Sequence, residues 1–226
     1  MSTIELIKPE EIEKHSFEII RNRLKAQNIS VPLDYTAKSE AELELCRNMI
    51  YRCIHTTADF DYAETLVFSP GAVDIIQKLV KSGADIVTDT NMALAGINKK
   101  KLEAYGGRAY CFMADEEVAE SAKKRGLTRA YVAMEKAASL YNADPDRPLI
   151  FAAGNAPTAL ISLHKLYQDR ILKPDFIIGV PVGFVNVEAS KELILETDIP
   201  CIINSGNKGG SPVAAAIINA VLYSES

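Results

Sequence analysis

The chain reads as an α/β fold, a largely parallel sheet with helices on both faces, and two features of the sequence predict it. Short apolar, β-branched runs at 65–68, 86–88, 109–112, 149–152, 176–180 and 201–204 alternate with stretches of helical length, as expected of parallel strands joined by crossover helices. The helices also have legible ends. Ser69-Pro70 precedes 71–81 and Gly83 follows it, Asp115 precedes 116–124 and Gly126 follows it, and Ser211-Pro212 opens 213–223.

Taken in order, residues 9–27 predict an amphipathic helix with Pro9 in its first turn and Ile12, Ser16, Ile19, Ile20 and Leu24 along one side. His15 and Ser16 lie on or near that side. Residues 28–38 hold Pro32 and no helical period, so they predict a loop. Ser39 begins a capping box with Glu42, and the helix that follows, 40–55, is apolar on most of its faces, which predicts burial and an end at His55. Residues 142–148 form a turn-rich connection before the next strand. With no internal repeat, low-complexity tract or linker, residues 1–226 are expected to form a single domain.

Composition narrows the function. A chain that is 48% hydrophobic and 24% charged is globular, and a formal charge of −5 argues against nucleic acid or an anionic membrane as partner. No stretch reaches the roughly 18 uninterrupted apolar residues of a membrane span, and the amino terminus does not read as a leader, so the cytoplasm is the expected location. Cys46, Cys53, Cys111 and Cys201 lack CxxC spacing, and His15, His55 and His164 lack HxxxH or HxH spacing. Reduced, mostly buried thiols and no protein-held metal are therefore expected.

In a parallel sheet the residues after each strand gather along one edge, where ligands bind. Here they are small and hydrogen-bonding: Asp89-Thr90-Asn91-Met92, Gly154-Asn155-Ala156-Pro157-Thr158, Pro181-Val182-Gly183-Phe184, and Ser205-Gly206-Asn207-Lys208-Gly209-Gly210-Ser211. Glycine lets backbone amides approach a ligand, and a helix N-terminus adds partial positive charge. Each segment is thus either a plain strand-to-helix turn or part of an anion cradle. None has the GxGxxG or GxxxxGK[ST] spacing of nucleotide sites. The few basic residues within reach are Lys208, with Arg21 and Arg52 from the early helices, which suits spaced carboxylates better than one dense phosphate. In so acidic a chain an anionic ligand calls for a locally positive site.

His55 stands where an apolar helix gives way to a polar segment. It either caps the last carbonyls of that helix or acts as an acid and base near neutrality. Asp59, Asp61 and Glu64 behind it are either partners for the imidazole or solvated acids, and Arg52, three residues earlier, can face the same side. From the residues alone a cofactor-independent racemase or isomerase of a small carboxylic acid, with Cys53 or Cys111 as base, is a further reading.

Several segments together resemble the precorrin-8X methylmutase family, including its cobalt-precorrin-8 members. They are Ser16-Phe17-Glu18-Ile19-Ile20-Arg21, 52–57, Val67-Phe68-Ser69-Pro70, Thr88-Asp89-Thr90, 154–160 (GNAPTAL), 179–185 with Glu188, Ser190 and Lys191, and 206–211. The match is collinear over nearly the whole chain, and GNAPTAL with PVGFV is its most specific part. The resemblance implies an isomerase of corrin (cobalamin) biosynthesis that moves a methyl group from C-11 to C-12 of precorrin-8X or cobalt-precorrin-8, giving hydrogenobyrinic or cobyrinic acid. It implies that His55 is the catalytic acid and that Ser16 and Arg52 contact the tetrapyrrole. Arg21, Thr90, Asn91, Gly154, Asn155, Ala156, Thr158, Gly183, Lys208, Gly209, Gly210 and Ser211 complete the expected substrate-binding set. It implies a homodimer and no cofactor, any cobalt arriving inside the substrate. Many relatives carry arginine where this chain has Asn207. A non-catalytic corrinoid carrier is the alternative.

Overall fold

The computed structural model describes residues 7–29, 39–143 and 147–224. The strands are β1 (Leu66–Phe68), β2 (Asp85–Thr88), β3 (Ala109–Tyr110), β4 (Leu149–Ala153), β5 (Phe176–Gly179) and β6 (Cys201–Asn204). They form one six-stranded sheet in the order β1-β6-β5-β4-β2-β3. Every pairing is parallel except β1 with β6, which is antiparallel. The largely parallel sheet expected from the sequence is present, and its strands end within one residue of the expected runs. The exception is β3, which stops at Tyr110 rather than reaching Phe112.

The central strands are buried on both faces, so they read as continuous apolar runs rather than alternating ones. Within β4, Ile150 and Ala152 face one layer while Leu149, Phe151 and Ala153 face the other. In β5, Phe176 and Ile178 join the first layer and Ile177 the second. The first layer is covered by α1 (Pro9–Ala26), α2 (Glu40–Thr57), α3 (Tyr62–Thr65), α4 (Ala72–Lys81) and α11 (Ser211–Tyr223). The second is covered by α7 (Glu116–Arg125), α8 (Arg129–Ala143), α9 (Pro157–Gln168) and α10 (Val187–Leu195). Two short helices, α5 (Asn91–Gly96) and α6 (Lys99–Ala104), follow β2.

In α1, Pro9 sits at the first helical position as predicted, and the inward face is the expected one only in part. Phe17, Ile20 and Leu24 pack inward, whereas Ile12 and Ile19 are exposed. In α2 the Ser39 side chain accepts from the Glu42 amide, and Leu45, Cys46, Met49, Ile50, Tyr51, Cys53 and Ile54 are buried. The helix runs two residues past His55, to Thr57, and stops where Ala58 turns left-handed. The loop expected at 28–38 lies outside the described residues from 30 onward, as do 144–146 of the expected connection, α8 continuing to Ala143. No helix among the described residues is long and apolar enough to cross a membrane.

The reversed direction of β1 decides where α2 ends. Leu66, the first residue of β1, pairs with Asn204, the last of β6. The segment leading into β1, with the end of α2 and all of α3, therefore lies at the edge where the parallel strands finish. That is the ligand edge of such a sheet.

Candidate active site

His55 occupies the last turn of α2 and is exposed. Its ring meets Phe17 of α1 edge to face at 6.0 Å, and it makes no hydrogen bond among the described residues. The same Phe17 ring lies under the Arg52 guanidinium at 5.5 Å, so the two side chains do flank a common feature. Arg52 is also 4.9 Å over the Tyr223 ring and gives a two-pronged hydrogen bond to Glu13 at 2.6 and 3.1 Å. Ser16, next to Phe17, is half-buried, and Arg21, one turn on, is exposed with no ion-pair partner among the described residues.

The acids behind His55 serve a different partner. Lys208 Nζ sits 2.5 Å from Asp59 Oδ2 and 2.6 Å from Asp61 Oδ2. These carboxylates hold the lysine above its usual range, and Lys208 in turn helps hold Asp59 below the usual carboxylate value against the opposing effect of desolvation. Pairing of Asp59 or Asp61 with the imidazole is thus replaced by pairing with Lys208. Of the three basic residues expected to make the edge locally positive, Arg52 and Lys208 are each paired with carboxylates of their own chain, and Arg21 has no ion-pair partner among the described residues. Sequence spacing gave no sign of either pair, since Lys208 and Asp61 are 147 positions apart and Arg52 and Glu13 are 39 apart.

A second group forms where the strand order reverses between β2 and β4, the position at which an open α/β sheet usually leaves a crevice. Asp89, at the end of β2, is fully buried, and its carboxylate accepts from the amides of Gly154 (2.9 Å), Asn155 (2.8 Å) and Ala156 (2.6 Å). Burial pushes the Asp89 carboxyl up and the three amides pull it back. The cradle expected to hold a ligand anion is real, but the anion in it is the protein's own. Thr90 caps α5 by accepting from the Ala93 amide, and its hydroxyl is 2.7 Å from that of Ser211. Gly154 is needed because a Cβ there would come within 2.7 Å of the Ser211 Cα. Thr90, Gly154, Asn155, Ala156 and Ser211 are therefore brought together as a frame around Asp89, with the Asn155 and Asn91 side chains left exposed.

The final glycine loop joins the two groups. Gly210 donates to the Val180 carbonyl at 2.9 Å, and a Cβ on Gly209 would lie 2.0 Å from the same oxygen, so only glycine fits. Tyr62 of α3 donates to the Gly209 carbonyl at 3.3 Å. From α10, the buried ammonium of Lys191 reaches the Gly206 and Lys208 carbonyls at 2.6 and 2.9 Å, and the Asn204 side chain donates to the Lys208 carbonyl at 2.9 Å. Burial pushes Lys191 down to about 8. Asn207 donates to Glu188 at 2.7 Å, and the Gly183 amide donates to the Asn207 carbonyl at 3.1 Å. Tyr62 and Asn204 were not among the expected site residues. Thr158 is set apart from both groups, its hydroxyl 2.7 Å from that of Thr128.

An apolar rim accompanies this edge. Phe184 is 91% and Met92 67% exposed, with Val182 and Val185 also open to solvent. Cys53 is fully buried and its thiol is pushed up to about 12, which removes it as a base near neutrality; burial also raises Cys111. A cleft of about 400 Å³ lies elsewhere, between β3 and α8, lined by Asp85, Arg108, Tyr110, Tyr141 and Arg147 among others. It contains none of the expected site residues.

Comparison with known proteins gives one consistent result. A family model described as precorrin-8X methylmutase matches residues 11–224. A cobalt-precorrin-8 methylmutase of Leptospira interrogans is 43% identical over 184 residues, covering 79% of this chain and 82% of its own length. Another, of Salmonella typhimurium, is 39% identical over 215 residues, 95% of each chain. The crystal structure of the precorrin-8X methylmutase from Thermus thermophilus matches with a TM-score of 0.74 at 29% identity, covering 94% of this chain and 96% of that one.

Proposed function

The chain belongs to the precorrin-8X methylmutase family, isomerases of cobalamin biosynthesis, and we propose that it moves the methyl group of precorrin-8X or cobalt-precorrin-8 from C-11 to C-12 with His55 as the acid. The observation that carries this reading is the placement of His55: exposed at the ligand edge, seated on Phe17, and free of hydrogen bonds among the described residues. The imidazolium donates a proton to the ring-C region of the macrocycle, the methyl group shifts to the neighbouring carbon, and the proton returns to the imidazole. Nothing is consumed.

The arms are met by Ser16, Arg21 and Arg52, with Asn91 and Asn155 along the switch-point edge. Arg52 supports this reading through Glu13: the carboxylate on its fork is exposed, and a substrate carboxylate can take its place in the same two-pronged geometry. The exposed Phe184, Met92 and Val182 give the flat apolar face of the macrocycle a surface to cover. A cytoplasmic homodimer is part of the same proposal.

The test is conversion of excess substrate followed by absorbance. Wild type is expected to turn over many equivalents, and His55→Ala to bind the macrocycle with near-normal affinity while turnover falls by about 10²–10⁴-fold, the usual worth of a positioned acid. Near-normal turnover in His55→Ala would remove histidine from the mechanism. A wild-type protein that binds one equivalent and stops would favour the carrier.

A further inference from the structure

The reading of His55 as the acid leaves one strongly charged group at the edge without a task. Lys208, expected to bind a substrate arm, spends its charge on Asp59 and Asp61. Those two acids belong to the segment that closes α2. The Asp59 amide donates to Thr57 Oγ1 at 3.2 Å, Thr57 Oγ1 donates back to the Cys53 carbonyl at 2.8 Å, and the Asp61 amide donates to Asp59 Oδ1 at 3.0 Å. His55 lies inside that closing turn. At its other end Lys208 is held from behind, its carbonyl accepting from Lys191 and from Asn204, both buried. A continuous set of polar contacts therefore runs from α10 and β6, through Lys208, to the last turn of α2.

We propose that Lys208 is a positioning residue for His55 rather than a substrate ligand: through Asp59 and Asp61 it fixes the end of α2 against the final glycine loop and so sets where the imidazole stands on the ligand edge. The turn it fixes needs an anchor. Ala58 is left-handed at φ 56, an unfavourable conformation for a non-glycine residue, and the ring contact of His55 with Phe17 reaches α1 rather than the final glycine loop. A second substrate ligand at this position would have to compete with two carboxylates already within 2.6 Å.

Two substitutions separate the alternatives, because a positioning role and a binding role make opposite demands on the acids. The Lys208 side chain is 46% exposed, so its replacement leaves the core intact. If Lys208 positions, Lys208→Met lowers kcat by about 10- to 100-fold, as a displacement near an ångström would, with KM within about twofold. The double variant Asp59→Asn, Asp61→Asn then shows the same loss, and Lys208→Arg restores most of kcat. If Lys208 binds substrate, Lys208→Met raises KM with kcat retained, and neutralising the two acids frees the lysine and lowers KM; that pair of results overturns the proposal. Hydrogen exchange at the amides of 53–58 gives a reading independent of turnover, faster in both Lys208→Met and the acid double variant if the tether is real and unchanged if it is not. His55→Ala keeps the two questions apart. Its retained turnover would sink the acid reading whatever Lys208 does, while an inactive His55→Ala beside a Lys208→Met of normal kcat would sink the positioning role alone.

Discussion

Asp89 shows how far a single residue can redirect the reading of a turn. Gly154, Asn155 and Ala156 present three converging amides at the switch point, and in sequence such a turn looks the same whether a ligand or a side chain fills it. The acid that fills it is 65 positions away from Gly154, too far for any local pattern to pair them. Asp89→Asn keeps the size and one acceptor but turns an N–H toward these amides, leaving a buried donor unmatched. The expected loss is about 1–3 kcal/mol, read as a lower urea midpoint at unchanged slope; a variant as stable as wild type would mean that the amides have other partners. Lys208 and Arg52 repeat the lesson with charge. Their identity as cations was legible, but not their neutralisation by Asp59, Asp61 and Glu13, because ion pairing depends on how helices and loops are laid together.

Among the elements, α2 was largely legible: the Ser39 cap, the buried cysteines and the polar tail after His55 can all be read from spacing. Its position relative to the sheet was not. A strand of three residues, Leu66–Phe68, carries no mark of its direction, and only the antiparallel pairing with β6 places the end of α2 at the ligand edge. The apolar face of α1 was partly misread for a related reason, since packing against α2 selected Phe17 over Ile12 and Ile19. The final loop depends on Lys191 of α10. Burial depresses this amine from 10.5 to about 8, so below pH 8 it is charged in both folded and unfolded chains and its desolvation cost is constant. Between about 8 and 10.5 the unfolded chain holds a proton that the folded chain has released, and stability rises with pH. Relative to Lys191→Met, in which the effects of the buried thiols are shared and cancel, wild-type stability is expected to rise by up to roughly 3 kcal/mol across that window. Denaturant titrations at a series of pH values check this, and a difference independent of pH contradicts it. The same variant is expected to speed hydrogen exchange in 205–210, where the two carbonyls lose their donor.

At the scale of the whole molecule, alternation of strands and helices made the α/β class and the sheet legible, because parallel strands buried on both faces leave continuous apolar runs. The two core layers share β4, β5 and β6, with successive residues of each strand committed to opposite layers. Neither layer can open without exposing the other's strands, so the chain is expected to unfold as one domain, with calorimetric and van't Hoff enthalpies in agreement; two resolved transitions would contradict that. The same sheet brings the end of α2, the switch point and the final loop to one edge, and the account rests on what the imidazole does there. The most direct measurement is a crystal structure of the protein with the tetrapyrrole bound. The account predicts a nitrogen of His55 within about 3.5 Å of a ring-C carbon, in reach for proton transfer. An imidazole still packed on Phe17 or turned to solvent, with the macrocycle beyond its reach, would contradict it.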